Sequence, residues 1–218
     1  EFVAGAYKLQ VVHPPGAPLF LIVGRMFAWV ATLLSDNPAH IAFAINLMSA
    51  LCSALAAMFI CWTTLIVARL SLYGRDYAHP NNESWSVLSA GLIAGLSTGF
   101  ISTTWFSAVE GEVYSMSTMF TAMTVWAAFK WYYLEDRPEN DKWLIFAVFA
   151  TGLSTGVHLL SLLAFPTIAM LYYFKRFERP GFFGMLLAAA AGVVAIFLFQ
   201  VLIITGIPGL WRFFELQM

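Results

Sequence analysis

Charge is what this sequence has least of. Only 11% of its 218 residues are Asp, Glu, Lys or Arg, and 61% are hydrophobic. An average soluble domain is about 25% charged and about 45–50% apolar. So few charges cannot cover a water-facing surface. The net charge is −1 and no basic block occurs, which leaves nothing to displace the counter-ions of a nucleic acid. Nucleic acid is therefore excluded as a partner. Cysteine is scarce as well. Cys52 and Cys61 sit nine apart in one apolar run and read as small core residues, and no His/Cys cluster has structural-zinc spacing. Internal repeats and low-complexity tracts are missing. The chain opens on Glu1 without a signal peptide and stops at Met218 just after an apolar run. It reads as a piece of a longer polypeptide, or as a processed or trimmed one.

What the sequence has in quantity is apolar runs of about 20 residues, the length that crosses a bilayer. The fold expected is an all-α polytopic membrane protein, with about six spans and the lipid bilayer as solvent. The runs are residues 40–70, 85–108, 113–134, 143–174 and 182–205, the last followed by a Gly206–Pro208–Gly209 turn. The 32-residue run would be about 48 Å long as one helix, against a hydrocarbon core of about 30 Å. Lys142 precedes it, and Lys175, Arg176 and Arg179 follow it. The positive-inside rule places both clusters on the cytoplasmic side, so the run is expected to pass twice, turning around Gly152 to His158. Arg69, Arg75, Lys130 and Arg137 then fall inside, and residues 110–112 fall outside with Arg212. Residues 73–84 and 135–142 read as cytoplasmic loops, rich in Pro, Asn and Asp.

The whole chain, 1–218, reads as a single transmembrane domain, with 1–39 an external loop carrying an interfacial helix and 40–218 the membrane helices. Within the loop, residues 17–34 hold Arg25 mid-way. A central Arg costs roughly 2.5–3.5 kcal/mol on insertion scales. A helix lying flat in the interface suits Arg25, Trp29 and the prolines better than a spanning one. If it lies flat, Glu1 and His13 share a face with Glu110 and Glu112; if it spans, they do not.

"WFSAVEGEVYSM" (105–116) places two of the scarce carboxylates between apolar runs. Glu110 and Glu112 would point about 200° apart on a helix but share a face in an extended segment, which Gly111 permits. They read either as one site or as two solvated carboxylates at a helix end. His158, at the expected turn, is a candidate by virtue of being ionisable in a membrane, or else a histidine bonded to a helix carbonyl. His13 heads a rigid His-Pro-Pro-Gly stretch. Arg25 either snorkels to water or meets a phosphate. Trp131, Tyr132 and Tyr133, like Tyr172, Tyr173 and Phe174, read as interface belts. Trp105 and Phe106 are belt residues or line a lipid or sugar site. "GLIAGLSTG" (91–99) and "TGLSTG" (151–156) read as close helix packing.

Three stretches together, "EFVAGAYKLQVVHPPGAPLF", "WFSAVEGEVYSMSTMFTA" and "TGLSTGVHLLSLLAFPTIAMLYYFKR", resemble a family of bacterial integral membrane proteins common in Bacteroidetes. That family is related to protein O-mannosyltransferases of the GT-C glycosyltransferase superfamily. The resemblance implies an acidic motif in the first external loop, of which Glu1–Phe2 is the end; the usual catalytic Asp would lie upstream. It implies that Glu110 and Glu112 form a second external acidic motif. The implied donor is a polyprenyl-phosphate sugar, mannose by family, and the acceptor a hydroxyl on Ser or Thr of an exported protein. On this reading Glu1, Glu110 and Glu112 are catalytic, His13, Arg25 and His158 hold the donor phosphate, and Trp105 and Tyr114 line the substrate. A divalent metal, if one is used, would sit on Glu112 or His158. The location implied is a bacterial cytoplasmic membrane, with the active face periplasmic. Two other classes stay open: a transporter, since thin hairpins and broken helices also build transport sites, and a non-catalytic subunit of a membrane assembly.

Overall fold

The computed structural model describes residues 1–13, 16–75, 84–177 and 180–217. They are helical, with no strand among them. The helices are α1 (Phe2–Lys8), α2 (Pro18–Leu34), α3 (Ala39–Tyr73), α4 (Trp85–Phe100), α5 (Ser102–Val109), α6 (Val113–Tyr133), α7 (Lys142–Ser154), α8 (Ala164–Arg176), α9 (Phe182–Phe199) and α10 (Ile207–Glu215). They fall into two compact units, Glu1–Ser161 and Leu162–Met218. Pro14, Pro15, most of the 73–84 loop and Arg179 of the basic cluster lie outside the described residues.

In the first unit, α3 is the central mast. Thirty-five residues make it about 52 Å long, more than a bilayer core needs. Gly74 ends it at φ 66°, a left-handed angle that suits glycine. Helix α4 runs back along it: a Cβ on Gly91 would lie 2.6 Å from Leu65 Cδ2, and one on Gly95 3.0 Å from Cys61 Cβ. The close packing read from "GLIAGLSTG" is thus present at these two glycines, while Gly99 and Gly152 face open space. Helix α6 runs parallel to α3. Ser53 donates to Ser115 over 3.0 Å near one end, and Arg69 stacks on Tyr133 near the other. Helix α7 returns against α6, with Thr151 donating to Thr124 over 3.4 Å.

These directions give the unit two chemically different ends. Arg69, Arg75 and Lys130 gather at one, over the rings of Tyr133, Tyr132 and Trp143. Trp131 does not face lipid as a belt residue would. It is fully buried, and its Nε1–H donates to Asp141 over 2.9 Å. At the other end stand residues 110–112 and His158, as the charge distribution leads one to expect. Helix α2 begins and ends on that side: residues 26–34 face 40–47 of α3, and Gly24 faces Met48. It folds back along the first third of α3 and does not cross to the basic end. Glu1 and Glu112 therefore share an end.

Two described helices, α3 and the continuous 182–215 segment, are long and apolar enough to cross a membrane. A third crossing is added if α4 and α5, bent by 55°, count as one. The other expected spans are helical but too polar or too short. Helix α6 carries Ser115, Ser117, Thr118, Thr121, Thr124 and Lys130. Helices α7 and α8 have 13 residues each, about 20 Å. The 143–174 run does break where expected, between Ser154 and Ala164.

In the second unit, α8 packs on α9 through Gly184 against Tyr173 and Gly192 against Pro166. The expected Gly206–Pro208–Gly209 turn is replaced by continuing helix. A wide π-helical segment, Gln200–Gly206, leads straight into α10, so Pro208 lies inside one continuous helix, directly after the irregular turn that accompanies the loss of its N–H bond.

Candidate active site

The site is built from three pieces far apart in sequence. The first is the N-terminal segment. Leu9, at φ 51°, ends α1 and sends the chain back along it, and Val12 packs where a side chain on Gly5 would stand. The return brings His13 to Glu1. His13 backbone N–H donates to Glu1 Oε1 over 2.7 Å, and its Nδ1 lies 2.9 Å from Oε2. These two bonds, the backbone one first, hold the Glu1 carboxyl below the usual glutamate range. Phe2 props the pair, edge-on to both His13 and Phe20.

The second piece is the Glu110–Glu112 turn. Glu110 and Glu112 are extended, as expected from their spacing. However, Glu112 N–H donates to Glu110 O over 2.9 Å, closing a tight turn at Gly111. The turn breaks the extended alternation. Glu112 faces the cavity described below, and Glu110 is exposed outside its wall. Glu112 precedes α6 without capping it, so its carboxylate stays free. The sequence suggests backbone freedom as the reason for Gly111. The structure gives a steric one: a Cβ there would lie 2.7 Å from Val3 Cγ2 and 3.1 Å from Ile45 Cγ2. Helix α1 docks on this glycine, which carries Glu1 toward Glu112.

The third piece follows α7. Gly156 O accepts Leu19 N–H over 2.7 Å, tying the start of α2 to the end of α7. A Cβ on Gly156 would approach Leu19 Cβ to 3.0 Å. His158 is not bonded to a helix carbonyl through its ring. Its Nδ1 accepts Leu160 N–H over 3.1 Å, and the ring lies 5.9 Å from that of Tyr114.

These pieces enclose a cavity of about 200 Å³ lined by Phe2, His13, Glu112, Tyr114 and His158, with Gly16, Ala17, Val113, Val157 and Leu159. Of the residues singled out from sequence, Glu112, His13, His158 and Tyr114 meet here, with Glu1 behind His13. Two others do not. Arg25 lies two helical turns up α2, donates to Tyr7 O and stacks over the Tyr7 ring at 5.1 Å, so it clamps α1 to α2. Trp105 is exposed on α5, off the cavity wall. No three His, Cys, Asp or Glu side chains stand close enough together to hold a metal ion among the described residues. His158 suits a metal poorly for its own reason. Its Nδ1 lone pair is taken by Leu160 N–H, so Nε2 keeps the proton that a metal would have to displace.

A family model described as the N-terminal domain of the protein O-mannosyl-transferase TMEM260 matches residues 1–181. The chain belongs to the TMEM260 N-terminal domain family. The match spans every residue of the cavity. Among curated proteins, a Dictyostelium discoideum relative named protein O-mannosyl-transferase tmem260 is 29% identical over 143 residues, 66% of this chain and 15% of that protein. A Mus musculus protein of the same name is 26% identical over 154 residues, 71% of this chain and 19% of that protein. The chain thus spans less than a fifth of the length of these curated relatives. No solved structure matches it. The O-mannosyltransferase kinship expected from the three motifs is borne out. Both relatives are eukaryotic, so bacterial origin is not part of that finding. What sequence reasoning missed in this TMEM260-type domain is the apolar frame: Phe2, Val3 against Gly111, and Leu19 against Gly156. The only local signal for the last two was a glycine.

Proposed function

We propose that this chain builds one wall of a sugar-transfer site. In the complete protein, a sugar, mannose by family, moves from a polyprenyl-phosphate donor to a Ser or Thr hydroxyl of an exported protein. The observation that carries this reading is the cavity where Glu112, Tyr114, His13 and His158 converge, backed by the Glu1–His13 pair. Its volume lies below the range of roughly 300–1,000 Å³ of drug-sized pockets and suits one sugar ring. Carboxylates beside a sugar favour the positive charge that develops at its anomeric carbon as the bond to phosphate lengthens. Glu112 is the free carboxylate on the wall and takes that role, while Glu1 works through His13. The base that receives the acceptor proton must stand within hydrogen-bond reach, and an Asp upstream of Glu1 fits the family pattern. The reading carries with it a GT-C arrangement, with the cavity facing outward. In a bacterial host that face is the periplasmic side of the cytoplasmic membrane. Bilayer, lipid-linked sugar and exported protein are the partners.

The test is Glu112→Gln in the full-length protein, assayed for transfer from a polyprenyl-phosphate mannose to a Ser/Thr peptide. A loss of about a hundredfold or more in turnover is expected. Unchanged transfer would remove Glu112 from the chemistry and with it this reading of the cavity.

A further inference from the structure

Two imidazoles line one small cavity, and their Nδ1 atoms are committed in opposite senses. His158 Nδ1 receives a hydrogen bond from Leu160 N–H, a group that can only donate. Nδ1 must therefore carry a lone pair, and the proton of the neutral ring sits on Nε2. His13 Nδ1 faces Glu1 Oε2, whose partner oxygen already accepts the His13 backbone N–H. That carboxylate, held ionised, can only accept. His13 Nδ1 must therefore carry the proton, and the Nε2 of the neutral ring a lone pair.

From this geometry we propose that the two histidines divide the ligand between them: His158 holds a phosphate oxygen through Nε2–H, and His13 accepts a hydrogen bond from a sugar hydroxyl at Nε2. The ligand class is a sugar linked through phosphate to a lipid, and its identity rests on the sugar-transfer reading above. The assignment of ends is new, and it splits residues that sequence alone grouped as phosphate binders. Charge agrees with it. The Glu1 carboxylate sits behind His13, where it disfavours a phosphate at that ring, while Glu112 on the cavity wall accepts sugar hydroxyls. His158 instead has the aromatic ring of Tyr114 beside it. The apolar residues next to it, Val157 and Leu159, complete that side.

The amide of Asn imitates Nδ1 of histidine, and that of Gln imitates Nε2. Binding of farnesyl phosphate, a lipid phosphate without sugar, is measured on the full-length protein in detergent. His158→Asn is expected to weaken it about tenfold or more, the loss of a hydrogen bond to a charged group. His158→Gln and His13→Asn are expected to stay within about threefold of wild type, scatter smaller than one lost bond. Nitrogen-15 NMR of histidine-labelled protein, assigned with the same variants, is expected to show His158 protonated at Nε2 and His13 at Nδ1. Equal weakening by Asn and Gln at 158, equal weakening by His13→Asn, no farnesyl phosphate binding in the wild type, or a His158 ring bare at Nε2 would each overturn the assignment. If the binding pattern holds while Glu112→Gln still transfers sugar, the role of Glu112 falls and the division between the histidines stands.

Discussion

Val3 occupies the space that any side chain on Gly111 would need, with Cγ2 2.7 Å from the ideal Cβ position. Gly111→Ala is therefore expected to push α1 away from the Glu110–Glu112 turn, at about 1–3 kcal/mol for overpacking. Thermal melting of the full-length protein measures it. Adding Val3→Ala is expected to recover part of the loss, and only part, because Ile45 Cγ2 also stands 3.1 Å away. Additive losses in the two variants would show that the contact does not matter.

The Glu1–His13 pair has a pH signature. Folding depresses the Glu1 carboxyl, so its contribution is present above the ordinary glutamate range and is lost as pH falls through the depressed folded value. A carbon-13 titration of the Glu1 carboxyl is expected to show a midpoint below that of a free glutamate. His13→Ala is expected to shift it upward by removing the ring bond, though not wholly, since the residue 13 backbone N–H remains. An ordinary midpoint in the wild type would mean the pair does not form.

Arg25 is expected to act as a clamp, without contact to phosphate. Arg25→Ala loses the bond to Tyr7 O and the ring contact, which together are expected to cost about 1–2 kcal/mol of stability. Affinity for farnesyl phosphate is expected to change far less than in His158→Asn. A variant that melts normally yet fails to bind would return Arg25 to the donor site.

Sidedness can be read by cysteine labelling after Cys52→Ala and Cys61→Ala. Single cysteines at Val11 and Val109, both exposed, are expected to label from one side of the membrane. A cysteine at Leu72, exposed near the basic end, is expected to label from the other. Labelling of Val11 together with Leu72 would mean that α2 crosses the bilayer and that the cavity does not exist in the membrane.

Helices were legible where apolar runs were bounded by charge or by Gly, as in α3 and in the break after Ser154. Composition also separated the two ends of the first unit, because Arg69 and Lys130 sit apart from Glu110 and Glu112. Period and composition do not carry long-range docking. Nothing local says that Val3 meets Gly111, or that Arg25 spends its guanidinium on the Tyr7 carbonyl. Trp131 shows the same limit, since a tryptophan near a span end reads as a belt until Asp141 is found beneath it. The turn expected at Pro208 failed because a widened helical turn, Gln200–Gly206, carries the helix through the proline, and Gly and Pro in sequence do not tell that from a loop.

The bond from Leu19 N–H to Gly156 O joins residues 137 positions apart. During synthesis at about 5–20 residues per second, the start of α2 waits roughly 7–30 s for its partner to be made. Through that interval the Glu1–His13 hairpin has neither Tyr114 nor His158 in front of it for most of the time. The cavity is thus the last part of the first unit to close, and anything that shelters the N-terminal segment during those seconds acts on assembly and leaves the finished site unchanged.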